Sequence, residues 1–206
     1  MSDSLGNIII FVVVNESSFF KMKKILLFFY LLATLNVSAQ QQHSDALDDV
    51  LQHVPMTAVF GLRVCGVQSD SQSWKELLAT SASAYILSAG TAYVLKHTCN
   101  ELRPDKSDRR SMPSGHATLA FSGATVLMHE YGHVSPWITV GGYTLATLVS
   151  ADRVRQDRHY VHDVCAGAAI GIGATELTYW LKRKFIKNRN IDVSFNGLQF
   201  DVAVRW

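Results

Sequence analysis

LLATSASAYILSAGTAYVL, residues 77–95, contains no charged side chain and is rich in alanine and serine. As an α-helix it would extend about 28 Å, enough to cross a bilayer or to form the core of a helical bundle. Its small residues let neighbouring helices approach closely. Similar stretches lie on either side. Ala117 to Met128 is apolar, a run without charges opens at Pro136 and reaches Ala151, and a last long helix is expected over Tyr160 to Lys184. Upstream, Ser44 to His53 is a short amphipathic stretch with Asp45, Asp48 and Asp49 near its start, where the helix dipole favours acids. Met56 to Val67 is apolar apart from Arg63. The pattern predicts an all-α fold, an up-and-down helical bundle of about five to six helices with the active site at one end. The tail reads differently. Ile191 to Phe195 and Leu198 to Trp206 alternate around Asn196-Gly197, which predicts a short C-terminal β-hairpin.

The whole chain has 206 residues, 48% apolar and 17% charged, with a net charge of +2. Its mean hydropathy of +0.11 lies between soluble and polytopic membrane proteins. The small net charge and the absence of a Lys/Arg stripe speak against a nucleic-acid partner. Cys65, Cys99 and Cys165 fit neither a disulfide framework nor a metal-ligand spacing and are expected to serve packing. At the N-terminus, Met22-Lys23-Lys24 leads into an apolar run from Ile25 to Leu35 and a small-residue exit through Ala39. Basic start, apolar core and small-residue exit define residues 22–39 as a signal peptide or an anchor helix. Residues 1–21 read as an upstream extension outside the mature protein. Residues 40–185 then form a helical domain and 186–206 its tail.

Three polar clusters lie where apolar runs give way to loops: Lys96 with Arg103-Pro104, Pro113-Ser114-Gly115-His116, and Arg153 with His159 and Asp163. In an up-and-down bundle alternate helix ends meet on one side, so the three clusters converge. Three fixed cations without a matching set of acids imply an anion. Phosphate suits them, because arginine forks match its oxygens in pairs and lysine adds a compact charge. Ser114 and Gly115 add a helix N-terminus with outward-facing N–H groups. His159 and Asp163 are four apart and would share a helix face, so the carboxylate can fix the imidazole tautomer and leave the other nitrogen to attack phosphorus. His116 remains to protonate the leaving oxygen. That chemistry requires no metal and no cofactor.

Lys96-x6-Arg103-Pro104, Pro113-Ser114-Gly115-His116 and Arg153-x5-His159-x3-Asp163 resemble the three signature motifs of the type-2 phosphatidic acid phosphatases, a superfamily that includes bacterial acid phosphatases and vanadium haloperoxidases. The resemblance runs from about Leu77 to Leu181. It implies a phosphatase in which His159 becomes the phosphohistidine, Asp163 orients it and His116 is the acid. Lys96, Arg103, Ser114, Gly115 and Arg153 would then hold the phosphate. Two positions depart from the family pattern. Asp152 stands where serine is usual and could pair with Arg153, and His162 stands where a small polar residue is common.

The substrate expected for such an exported protein is a lipid phosphate in the membrane of a bacterial cell envelope. Lipid A phosphate and undecaprenyl diphosphate come first, phosphatidate and phosphatidylglycerophosphate after them. Lys182-Arg183-Lys184, Lys187 and Arg189 follow the last helix, which suits an inner-membrane protein with a periplasm-facing site. Glu176 should then face the bundle. A soluble periplasmic acid phosphatase is the alternative, and a haloperoxidase is a further reading of the same motifs. His129-Glu130-Tyr131-Gly132-His133 also matches the H-E-x-x-H zinc protease pattern, but no third ligand follows at a suitable spacing before His159.

Overall fold

The structure, a computed structural model, describes residues 44–186 together with 190–195 and 200–205. The signal or anchor segment and the upstream extension fall outside the described residues. Six α-helices follow one another in the described chain: α1 Ser44–Leu51, α2 Val54–Val64, α3 Trp74–Thr98, α4 Gly115–Tyr131, α5 Pro136–Arg155 and α6 Val161–Leu181. A π-helical turn, Lys182–Ile186, extends α6. The all-α bundle expected from the sequence is the fold observed. Asn196-Gly197, the expected turn of the tail, lies outside the described residues. The flanking segments β1 Asn190–Phe195 and β2 Phe200–Arg205 pair antiparallel, and a closed hairpin stays an expectation of the sequence.

Local chemistry sets the helix starts. Ser73, Ser114 and Ser135 are N-caps whose hydroxyls accept from Glu76 N, Ala117 N and Trp137 N respectively. Pro55 and Pro136 sit in the first turns of α2 and α5, where a missing N–H costs nothing. Helix α2 stops where Gly66 takes φ +79° and lets Val67 N–H reach back to the Leu62 carbonyl at 2.9 Å.

Helix α4 is the axis of the bundle and packs against α2, α3, α5 and α6. Its residues are mostly small, and Ala117, Thr118, Ala120, Ser122 and Ala124 are all buried. The contact between α4 and α6 is backbone against backbone. A Cβ on Gly167 would lie 2.5 Å from the Ser114 carbonyl oxygen, and one on Gly171 would collide with the Thr118 carbonyl. Only glycine allows that approach, and it sets the first turn of α6 beside the first turn of α4. Small hydroxyls join the helices inside: Ser88 Oγ meets Ser122 Oγ at 3.1 Å, and Ser122 Oγ meets Thr175 Oγ1 at 3.0 Å. Leu62, Leu77, Leu127, Tyr131 and Ile138 form the apolar core nearer the other end. The three cysteines, expected to serve packing, are free and exposed, with Cys65 and Cys99 at the C-caps of α2 and α3.

That other end is closed by Glu130, which is fully buried. Its carboxylate accepts from Ser71 N and Ser71 Oγ at 2.9 Å and from Tyr179 Oη at 2.7 Å. Its neighbour His129 contacts Glu176 Oε1 at 2.9 Å and stacks on the Tyr179 ring, so Glu176 is turned to the bundle as expected. Helix α4 ends at Tyr131, so His133 lies in the following turn and leaves the helical register that an H-E-x-x-H site requires. The expected effect of Tyr179→Phe is a loss of about 1.5–3 kcal/mol in stability, the worth of a buried hydrogen bond to a charged group. A lowered Tm of the detergent-solubilised protein checks it, and an unchanged Tm would remove Glu130 from the stabilising elements.

Candidate active site

At the opposite end the three motifs meet, each carried by a helix terminus. Lys96 lies in the last turn of α3 and Arg153 in the last turn of α5. Ser114, Gly115 and His116 open α4, and His159 and Asp163 flank the start of α6. Lys96 reaches across to α4, since a Cβ on Gly115 would lie 3.8 Å from its Nζ. The loops between are stitched together by backbone bonds. Ser114 N–H donates to the Asp163 carbonyl at 3.0 Å, joining the second motif to the third. Asp105 N–H donates to the Asp157 carbonyl at 3.1 Å, joining the loop after Arg103 to the loop before His159, and Arg158 Nη1 adds an ion pair to Asp105 at 3.1 Å.

His159 and Asp163 are juxtaposed, though not as neighbours on one helix face. His159 precedes α6, whose N-cap is Tyr160, and Asp163 occupies the third helical position. Asp163 Oδ2 reaches back over the helix start, accepting from Tyr160 N at 2.8 Å and from Ser111 Oγ at 2.5 Å, and lies 3.7 Å from His159 Nδ1. At that distance the pair is an electrostatic contact rather than a hydrogen bond. Both side chains are almost completely buried. Burial, together with the charges of Lys96 and Arg103, pushes His159 down to about 4 against the opposing pull of Asp163, and Arg153 adds to the depression. His159 is therefore a neutral imidazole at pH 7, with its Nδ1 side toward a carboxylate.

The cations differ in their partners. Arg103 Nε donates to Asp108 Oδ1 at 2.9 Å, which fixes the guanidinium plane. Arg153 Nη1 donates to Asp48 Oδ2 at 2.9 Å, and both side chains are buried. The adjacent carboxylate of Asp152, which could weaken phosphate binding or pair with Arg153, engages Arg155 at 2.6 Å and Gln156. Residues three and four apart share a helix face and consecutive ones do not, which explains the difference. His116 Nε2 lies 2.8 Å from Asp49 Oδ1. Thus α1 contributes two acids to this end of the bundle.

Asp48, Asp49 and Ser111 are the residues that sequence reasoning missed. The two acids were visible only as charges expected near the start of a short amphipathic stretch, whereas they stand in the last turn of α1, and their partners lie far away along the chain. Ser111 carried no pattern at all. As for metal ligands, among the described residues Glu101, His162 and Asp163 present donor atoms within 4.8 Å of one another. His162 already bridges the two acids, at 2.7 Å from Glu101 Oε1 and 3.3 Å from Asp163 Oδ1, and stacks on Tyr160.

The chain is similar to known proteins over the same region. It is 40% identical over 135 residues to a lipid A 1-phosphatase of Porphyromonas gingivalis, a match that takes in 66% of this chain and 30% of that relative. The chain thus corresponds to under a third of that relative's length. Among solved structures, the crystal structure of Aquifex aeolicus LpxE superposes with a TM-score of 0.52 at 22% identity, covering 72% of this chain and 94% of the other, which is a likeness of fold. A family model described as the PAP2 superfamily matches residues 77–187. That stretch is more than half of the chain and contains all three motifs that the helix ends bring together, so the chain belongs to the PAP2 superfamily.

Proposed function

We propose that the chain is a phosphatase acting on a membrane lipid through a phosphohistidine at His159, with a lipid A phosphate as the first candidate substrate. The observation that carries this reading is a buried histidine set against a carboxylate, with the charges of Lys96, Arg103 and Arg153 acting on it. With Asp163 toward Nδ1, Nε2 is the nitrogen left to attack phosphorus. The N–P bond forms as the bond to the leaving oxygen breaks, and His116 donates its proton to that oxygen. Water then attacks the phosphohistidine, His116 takes the water's proton, and inorganic phosphate leaves. The three cations and the first-turn N–H groups at Ser114 and Gly115 oppose the charge on the non-bridging oxygens throughout. The lipid A assignment rests on the Porphyromonas relative, and its partial coverage keeps undecaprenyl diphosphate, phosphatidate and phosphatidylglycerophosphate in the comparison.

The outer surface supports a membrane setting. Helix α3 and the stretch Val161–Lys184 are long and apolar enough to cross a bilayer, yet only 33% and 28% of their most apolar windows are buried. The core helix of a water-soluble bundle would be covered. Ile86, Val94 and Leu148 face outward instead. Trp74, Trp137 and Trp180 are exposed at the end opposite the site, and Tyr93 and Tyr160 are exposed near it. Along α3 and α6 these aromatic levels are about 28–30 Å apart at 1.5 Å per residue, close to a hydrocarbon thickness. Cations gather at the tryptophan level, with Arg63 over Trp74 at 5.8 Å and Lys184 over Trp180 at 4.7 Å. Positive charge on that side favours a cytoplasmic tryptophan end and a periplasmic site.

Phosphate release from the four lipids and from an aryl phosphate, measured side by side with and without EDTA, tests the reading. The expected result is preference for lipid A phosphate, unaffected by chelation and inhibited by vanadate, which mimics five-coordinate phosphorus. Equal rates on the aryl phosphate and the lipids would favour the non-specific acid phosphatase. Loss of activity in EDTA with recovery on zinc would overturn the metal-free mechanism.

Within the cage Arg103 should matter more than Lys96. It precedes Pro104, which restricts its backbone to extended forms, and Asp108 holds its Nε, so both Nη groups are aimed together. Arg103→Lys should lower kcat/KM by about 2–3 kcal/mol in transition-state stabilisation and Lys96→Arg by about 1 kcal/mol. An Arg103→Lys enzyme as fast as the wild type would remove the guanidinium from the phosphate site.

A further inference from the structure

Helix α1 brings two consecutive acids to the candidate site, and they do different things. Asp48 is buried, with Oδ2 accepting from Arg153 Nη1 at 2.9 Å and from Gln156 Nε2 at 2.8 Å. It fastens α1 to the end of α5. Its neighbour points about 100° further round the helix, along the rim. There Asp49 Oδ1 meets His116 Nε2 at 2.8 Å. Resting on the phosphatase reading above, we infer that Asp49 is a positioning residue that holds His116 by Nε2–H and keeps on it the proton delivered to the leaving oxygen.

The proton bookkeeping is explicit. In protonated His116, Nε2–H donates to Asp49 and the other ring N–H faces the leaving oxygen. Transfer of that second proton leaves a neutral ring still anchored through Nε2–H, and the freed nitrogen accepts the proton of the attacking water. Without such a partner His116 would be a poor acid. Burial and the Arg153 charge push it below its ordinary value, Lys96 lies beside the adjoining Gly115, and the opposing influences come from Asp49 and Asp48. Asp48 is engaged by Arg153, which leaves Asp49 as the carboxylate in hydrogen-bond contact with the ring.

The test compares the full chain and its Asp49→Asn, Asp49→Glu, His116→Ala and doubly substituted Asp49→Asn/His116→Ala forms in detergent, with p-nitrophenyl phosphate and an alkyl phosphate as substrates. A nitrophenolate leaves without a proton and an alkoxide does not, so the pair isolates acid catalysis. Expected for Asp49→Asn is a loss of about 10-fold to 100-fold on the alkyl phosphate and under about 3-fold on the aryl phosphate, as fits an impaired general acid. The alkaline limb of its kcat/KM profile should move to lower pH. Asp49→Glu should recover most of the rate, and the double variant should be no slower than His116→Ala. Equal losses on both substrates, or an unmoved alkaline limb, would overturn the assignment, because a merely structural acid behaves that way. If His116→Ala itself slows both substrates alike, the acid role of His116 falls and the inference with it. If His116→Ala discriminates and Asp49→Asn does not, only the inference falls.

Discussion

Replacing His159 with alanine should reduce kcat on the order of 10⁵-fold, the scale seen when a nucleophile is removed from a covalent mechanism. In the proposed mechanism the effect is this large because the cations around the site, left intact, have no nucleophile to which the phosphoryl group can pass. Acid-quenched enzyme with labelled substrate should carry label in the wild type and none in His159→Ala. The pH profile gives an independent reading. The pKa of His159 is held down to about 4 by burial and by Lys96 and Arg103, so the free base persists well below the ordinary imidazole range. The acid limb of kcat/KM, which reports the free enzyme, should then lie near that value. Lys96→Met removes a cation that favours the neutral ring, so it should move the limb to higher pH while also lowering the rate. If His159→Ala keeps a tenth of the activity, His159 is not the nucleophile.

What the sequence disclosed depended on range. Uncharged runs and capping residues act within a turn or two, so the helices and their order were legible from Trp74 to Leu181. The convergence of Lys96, Arg103, His116, Arg153 and His159 was legible as well, because alternate helix ends of a bundle must meet. The manner of contact was not. Spacing suggested that Asp163 and His159 share a helix face, whereas the N-cap at Tyr160 makes Asp163 fold back over the helix start. Equal spacing supports both arrangements until the helix boundary is known. Asp48 and Asp49 were hidden for a different reason: no local rule connects residue 48 to residue 153. The cysteines misled because neither their type nor their spacing tells a packed position from an exposed helix end, where Cys65 and Cys99 stand as C-caps.

Asp163 carries the second of the large expected effects. Its Oδ2 accepts from Tyr160 N and Ser111 Oγ and faces His159 Nδ1, while the residue is fully buried. Asparagine has the same shape and can keep the bond to Tyr160 N through its carbonyl oxygen. It cannot supply the negative charge that steadies the imidazolium-like ring as the N–P bond forms. With the amide turned the other way that bond is lost, and the NH₂ group would face His159 Nδ1 and favour the tautomer with the proton on Nε2, the nitrogen that attacks in the proposed mechanism. The comparable change in a serine protease triad costs about 10⁴ in kcat. The carboxylate here is 3.7 Å from the ring rather than hydrogen-bonded, so a smaller loss, on the order of 10³, is expected. Ser111→Ala removes only one of the bonds that aim the carboxylate and should cost about 1–2 kcal/mol in kcat/KM. Measuring kcat and Tm together separates the roles. A dead Asp163→Asn enzyme with a wild-type Tm supports the orienting role. A collapsed Tm would make Asp163 a helix cap first, and an active enzyme would leave His159 to be oriented by something else.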